Sequence, residues 1–409
     1  MQPLPPLPPL PPLPVPGEAA LQHSHAVKEL LHAELAAAGG WISFAQYMRL
    51  ALYAPGLGYY SGGAAKFGQE GDFVTAPEIS SLFGRAVARQ AAQVLEFTDE
   101  GGDILEFGAG SGKLALDLLL ELERLGNLPG RYFILEVSAE LQQRQRQLLE
   151  KYAPHLLLRV VWLERLPARF NGLILANEVL DAMPVHLVAW RDADLFERGV
   201  TSSVSNGDEF GWNECPLREG ELFEAARALT PWIESGSDDI SGGVSEYVSE
   251  INLAAWGFMA SFAKILQQGA IVLIDYGFGR GEYYHPQRNC GTLMCHYRHH
   301  AHDNPFYLPG LQDITSHVDF SAVAEAATNA GLELLGYTTQ AYFLINCGIT
   351  ESLAQTPAEN VKEYLPLANQ LQKLVSPAEM GELFKAIAFG KNISQPLIGF
   401  TSGDKSRLL

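Results

Sequence analysis

The segment LEFGAGSGKLALDLLL (105–120) places Gly108, Gly110 and Gly112 at GxGxG spacing, with Ala109 between the first two. A turn this poor in Cβ atoms lets main-chain groups lie directly against a ligand, where an apolar run hands over to a helical one. Glu106 stands just before the glycines, placed to face an amino group. Glu136 follows about 25 residues later in YFILEVS, where a carboxylate can accept both hydroxyls of a ribose. This set suits an adenosine that carries an amino-acid tail, which describes S-adenosylmethionine (SAM). A dinucleotide would also use an acid at Glu136, but its fingerprint wants a third glycine at position 113, where Lys113 stands. The competing reading is a strand-to-helix turn whose glycines serve packing alone. Glu164, farther along, is a candidate for the adenine amino group or a solvated loop charge.

A second set of polar residues closes the apolar run in GLILANEVLDAMPVH (172–186): Asn177, Glu178 and Asp181. Carboxylates at such a place have a clear use against a guanidinium, whose pKa above about 12 keeps it charged. They can hold it bidentately and localise its charge, leaving one nitrogen directed at a methyl donor. Catalysis is then positioning plus electrostatics. The plainer alternative is that Asn177 or Glu178 caps the helix that follows.

These residues need a frame. Apolar runs at 103–108, 132–137, 156–163, 172–177 and 270–277 alternate with helical stretches, and 333–348 reads as a hairpin. Short β-rich runs separated by helices imply a mostly parallel sheet covered on both faces. The expected fold class is α/β, a Rossmann-like class I methyltransferase sheet with an N-terminal helical and lid region and an insertion after the fourth strand. Residues 1–17 open with a proline-leucine repeat, which favours polyproline II and excludes helix. Residues 18–100 form the helical and lid segment, with one helix ending at Gly39-Gly40 and another beginning near Ser43. The core takes 101–186 and 266–350. Residues 187–265 are the insertion, expected to recognise substrate, and 351–409 a C-terminal helical extension.

Of 409 residues, 47 are acidic and 28 basic, a net charge of −19. That surface repels phosphate backbones and disfavours a nucleic-acid substrate, while it suits a cationic partner such as a basic protein segment. Cys215, Cys290, Cys295 and Cys347 show no CxxC spacing, as expected of a reduced compartment. No run approaches the roughly 20 apolar residues of a membrane span. The N-terminus resembles neither a secretory signal nor a transit peptide, so the expected location is cytoplasmic.

Read together, YAPGLGYYSGG (53–63), GDFVTAPEISSLFG (71–84), LEFGAGSGKLA (105–115), ANEVLDAMPVH (176–186), LIDYGF (273–278) and GTLMCHYRHHAHDNPFYLPGLQDITSHVDF (291–320) resemble the MidA family. The resemblance spans almost the whole chain after the proline tail. It implies a class I methyltransferase that uses SAM and carries out symmetric dimethylation of an arginine on a partner protein. The partner class it points to is a respiratory-complex subunit. The matched segments suggest that Gly71, Asp72, Thr75 and Pro77, with Lys66 and Phe67 nearby, fold over the SAM pocket, Thr75 and Pro77 touching the cofactor. The alternative is a segment that only buries the sheet edge.

HYRHHAHD (296–303) gathers four histidines and an aspartate, but its spacing fits no zinc motif and no metal is expected. His317 and Asp319 are candidates for an acceptor channel, with helix capping by Asp319 as the rival reading. Asp275 and Tyr276 fall where ligands bind at the switch point of open α/β sheets; core packing competes for Tyr276. No GxSxG elbow supports a serine hydrolase. Two further function classes stay open: methylation of a small molecule or another residue, and a SAM-binding assembly chaperone without catalysis.

Overall fold

The computed structural model describes residues 13–62, 75–99, 101–191, 194–203, 209–235, 246–393 and 395–409. Most of the proline-leucine repeat lies outside them, as do the lid residues Lys66, Phe67, Gly71 and Asp72. Seven strands of the central sheet follow in chain order: β1 (Asp103–Phe107), β2 (Tyr132–Leu135), β3 (Val160–Leu163), β4 (Phe170–Asn177), β5 (Leu266–Phe278), β6 (Glu333–Thr339) and β7 (Phe384–Lys391). Their spatial order is β3-β2-β1-β4-β5-β7-β6. The first five are parallel, and β7 runs antiparallel between β5 and β6.

Strand alternation sends successive side chains to opposite faces. Ile104, Leu173, Leu175 and Val272 enter one apolar layer, with α3 (Ser81–Glu96) and α4 (Lys113–Leu125). Leu105, Ile174, Ile271 and Leu273 enter the other, against Met259, Phe262 and Val323. Both faces are therefore covered, as parallel strands require. Ahead of the sheet come α1 (Glu18–Ala37) and α2 (Phe44–Tyr53), the latter capped by the Ser43 side chain accepting from Gln46 N–H.

Three expectations need correction. Residues 333–348 form no hairpin: β6 is followed at once by a helix, Gln340–Asn346, capped by the Thr339 hydroxyl. The antiparallel partner comes from the segment expected to be a helical extension, which supplies β7. The apolar run after Thr339 matched a strand by composition, but a threonine cap redirects it. The expected strand at 156–163 is shorter, its first part being a 3-10 turn.

Between β4 and β5, strands His186–Arg191, Asp194–Ser203, Glu209–Pro216 and Tyr247–Ile251 make a separate antiparallel sheet that recruits Ile42–Ser43. No helix among the described residues is long and apolar enough to cross a membrane.

Candidate functional site

The glycine turn leaves β1 with backbone that a side chain would strain. Gly108, Gly110 and Gly112 have φ of 67°, 53° and 85°, in the left-handed region. A Cβ on Gly108 would come 3.1 Å from Val179 Cγ2, so this glycine also permits close approach of the β4 loop. At Gly112 the added Cβ would meet Gln145, on α5 (Ala139–Tyr152), at 3.1 Å. Gly112 thus serves the packing of α4 on α5 and does not line the cavity above the turn. Gln145 binds the two parts of this half together: its Nε2 donates to Gly110 O (2.9 Å) and to Glu136 Oε2 (3.2 Å).

That cavity, of about 250 Å³, lies at the C-terminal ends of β1, β2 and β4. Glu106, Gly108, Ala109, Gly110, Glu136, Asn177, Glu178, Thr75 and Pro77 all line it. Glu106 is buried and accepts from the Tyr132 hydroxyl (2.7 Å). Burial pushes its carboxyl up to about 7, with the Tyr132 bond opposing and Glu136 adding to the shift. Glu136 accepts from Ser138 N–H (3.0 Å), so its carboxylate is oriented before any ligand arrives.

The opposite wall is the loop after β4. Glu178 has φ of +52°, an uncommon conformation for a residue with a side chain, and costs of this kind gather at functional positions. Its N–H donates to Ile274 O (2.9 Å). Asp275, at the end of β5, holds the rest of the turn: its Oδ2 accepts from Val179, Leu180 and Asp181 N–H at 3.1, 2.9 and 3.3 Å. Burial, with Asp181 nearby, pushes the Glu178 carboxyl up to about 8. Its Oε1 accepts from Ala76 N–H (3.2 Å) and Asn177 Nδ2 (3.1 Å). Asn177 Oδ1 and Asp181 Oδ1 are buried and meet no donor among the described residues. Burial also lifts Asp181, to about 6, while the nearby Tyr276 hydroxyl opposes the shift.

Asp181 does not line the cavity. It is buried next to Glu178, within reach of its charge, and so modulates Glu178 instead of facing a ligand. Glu164 is exposed and also stays outside the cavity. His317 and Asp319 line a different cavity, and Asp319 does cap a helix. The histidine cluster forms a tight hairpin, strands Met294–Tyr297 and His300–His302, turning through Arg298 and His299 at positive φ. No three potential metal ligands converge among the described residues.

Several cavity residues carry no short-range signal. Tyr53 and Tyr60 stack with ring centroids 5.4 Å apart; Tyr53 donates to Ala182 O (3.0 Å) and Tyr60 to Asp313 Oδ1 (2.9 Å). Glu78 accepts from the Ser111 hydroxyl, joining the short helix Ala76–Ile79 to the glycine turn. Tyr53 and Tyr60 fall in one of the segments that carry the MidA resemblance; Gln145 and Tyr132 give no signal beyond being buried polar positions.

Residues 86–338 match the model of a family described as "Putative S-adenosyl-L-methionine-dependent methyltransferase". The chain is 30% identical to the mitochondrial protein arginine methyltransferase NDUFAF7 homolog of Drosophila melanogaster, over 88% of this chain and 86% of that one. It is 28% identical to mitochondrial NDUFAF7 of Danio rerio, over 89% and 90% respectively. A crystal structure from Burkholderia thailandensis with S-adenosyl-homocysteine bound superposes with a TM-score of 0.90 at 50% identity, covering 97% of this chain and all (100%) of that one. The relatives also correct one expectation. Curated relatives are named as mitochondrial, which points away from the cytoplasmic location inferred from the termini. Composition at one end of a chain is a weak address.

Proposed function

We propose a function from one premise: the chain belongs to the S-adenosyl-L-methionine-dependent methyltransferase family that matches it, and it is an enzyme that uses SAM. The finer reading is that it is a protein arginine N-methyltransferase, adding methyl groups symmetrically to an arginine of a partner protein. The MidA resemblance supplies a respiratory-complex subunit as the partner class. The relatives named protein arginine methyltransferases support the acceptor type.

One observation carries the acceptor assignment. Glu178 and Asn177 give the far wall buried acceptors, Asn177 Oδ1 among them without a donor, on a loop where Glu178 has positive φ, and Asp181 lies buried behind them. Such a wall asks for a ligand with several N–H donors and a positive charge, and a guanidinium has five in a planar fork. Glu178 and Asn177 Oδ1 would take the fork, and Asp181 would strengthen the field from behind. The stacked Tyr53 and Tyr60 would flank the planar group.

On the near wall, Glu106 would take the ammonium of the donor, and the bare turn Gly108–Ala109–Gly110 would lie along its amino-acid part. Glu136 would accept the ribose hydroxyls, while Gly112 would support the turn from beneath. Thr75 and Pro77 would cover the cofactor as part of an N-terminal lid. Bound SAM supplies an electrophilic methyl group on a sulfonium. The protein's share is to orient the acceptor nitrogen, localise its charge and exclude water. Residues 187–265 would dock the partner, beside a core formed by 101–186 and 266–350.

The experiment is transfer of isotopically labelled methyl groups from SAM into lysate of a strain lacking the protein, then mass spectrometry of the labelled products. Symmetric dimethylarginine is the expected product. Label confined to a small molecule or another residue type overturns the arginine reading.

A further inference from the structure

Behind the β4 loop lies a second cavity, of about 200 Å³, which the reaction above does not use. It opens between α6 (Glu221–Ser235), α7 (Leu253–Ile265) and α8 (Phe320–Asn329). The β4 loop is the partition between the two cavities: Pro184 lines the first and Val185 the second. Two bonds tie the second cavity's lining to that loop, from Ser316 N–H to Asp181 O (3.0 Å) and from Asn252 Nδ2 to Leu180 O (3.3 Å).

The charged groups lining this cavity are three carboxylates, Glu250, Asp319 and Glu325, against one guanidinium, Arg280. Most are already spent. Glu250 accepts from Thr292 N–H (2.8 Å), Leu293 N–H (2.9 Å) and the Tyr283 hydroxyl (3.1 Å). Arg280 gives both terminal nitrogens to Glu325, at 2.7 and 2.5 Å, while its Nε is buried and meets no acceptor among the described residues. Asp319 is different. Its Oδ1 caps α8, accepting from Ser321 and Ala322 N–H at 3.0 and 3.1 Å. Its Oδ2 is buried and meets no donor among the described residues. An unmet buried acceptor destabilises the fold, and a donor entering the cavity would recover that loss. His317, pushed down to about 4 by burial with Arg288 and Lys385 nearby, is neutral at physiological pH and does not repel a cation. Trp256, Tyr283 and Tyr284 add aromatic surface, which favours a cation further.

We propose that this cavity is a second subsite, which takes a basic side chain of the methyl-accepting protein. It rests on the reading of the acceptor as a protein arginine. The two cavities share one loop as their wall, and an extended peptide advances about 3.3 Å per residue. The basic residue therefore lies within a few positions of the methylated one. The enzyme would thereby select arginines in a locally basic context, in keeping with its own net charge of −19.

The test uses the full chain saturated with S-adenosyl-homocysteine and titrated calorimetrically with N-acetyl-arginine amide, and with the citrulline analogue as its uncharged isostere. The wild type should bind two molecules of the arginine probe and none of the citrulline one. Asp319→Asn keeps a good helix cap and should weaken one of the two sites roughly tenfold, as loss of a charge-assisted bond implies. Ala322→Leu, which fills the cavity, should remove the same site, with S-adenosyl-homocysteine binding unchanged in both variants as the check on folding. A single arginine site in the wild type, equal binding of citrulline, or two intact sites in both variants overturns the subsite. Product analysis separates the two claims: methylarginine formed by a one-site protein sinks the subsite alone, and two sites with another methylated product sink the arginine reading alone.

Discussion

On the β1–β2 side of the cavity, Glu106 and Glu136 are each met by neutral donors from the same layer of the fold, Tyr132 for one and Ser138 N–H with Gln145 for the other. On the β4–β5 side, Glu178 sits on left-handed backbone, Asn177 and Asp181 keep acceptors without donors, and the loop is pinned by a carboxylate from the next strand. The carboxylates of the first wall already have donors, whereas on the second the cavity-lining Asn177 keeps its Oδ1 unmet. A binding site for an invariant cofactor gains from being preorganised, whereas an acceptor site gains from groups that find their partner in the reacting complex.

The contrast can be broken most sharply at Gly110. Gly110→Val puts a β-branched side chain at a φ of 53°, and should weaken SAM binding roughly 100-fold or more by calorimetry. Normal binding would mean that the turn is not the cofactor site. On the other wall, Glu178→Gln should cut methyl transfer by about 10²–10³-fold while SAM affinity stays within about twofold. An equal loss of both would erase the distinction between the walls.

The pH profiles should also separate. A guanidinium pairs with ionised Glu178, whose carboxyl in the ligand-free protein loses its proton only at about 8. Acceptor kcat/KM should therefore climb about tenfold per pH unit below that point and level off above it. SAM affinity should level earlier, near the value of about 7 set for Glu106. Two coincident breaks, or a flat acceptor profile, would count against independent walls. The smallest effect is expected from Tyr53→Phe, which loses one bond to Ala182 O in the acceptor loop. About 1 kcal/mol, or roughly fivefold in acceptor kcat/KM with SAM binding unchanged, should follow.

The same contrast explains what could be read from the sequence. The near wall is local: a strand, a glycine turn and the next strand's end put Glu106, Gly108, Gly110 and Glu136 together by spacing alone. The α/β class was legible for the same reason, since alternating apolar strands and helices announce a covered parallel sheet. The far wall depends on distant partners. Nothing near Glu178 indicates that Asp275 clamps its loop, that Ala76 N–H reaches it, or that Tyr53 and Tyr60 line the same cavity. Spacing places Asp181 among the acceptor groups, but the turn buries it away from the cavity. The sequence pattern puts the final antiparallel strand in a hairpin at 333–348, whereas β7 is separated from β6 by residues 340–383, and no local pattern reports such a pairing.

That late strand governs when the enzyme can exist at all. Until translation has passed residue 391, β5 and β6 have no neighbour between them. Each then exposes a row of main-chain donors and acceptors that another nascent copy can pair with. The glycine turn and both walls of the cavity precede residue 279, but the sheet bearing them gains its antiparallel strand only with residues 384–391. A chain stopped within 340–383 would keep every residue that lines the first cavity and still be a template for aggregation.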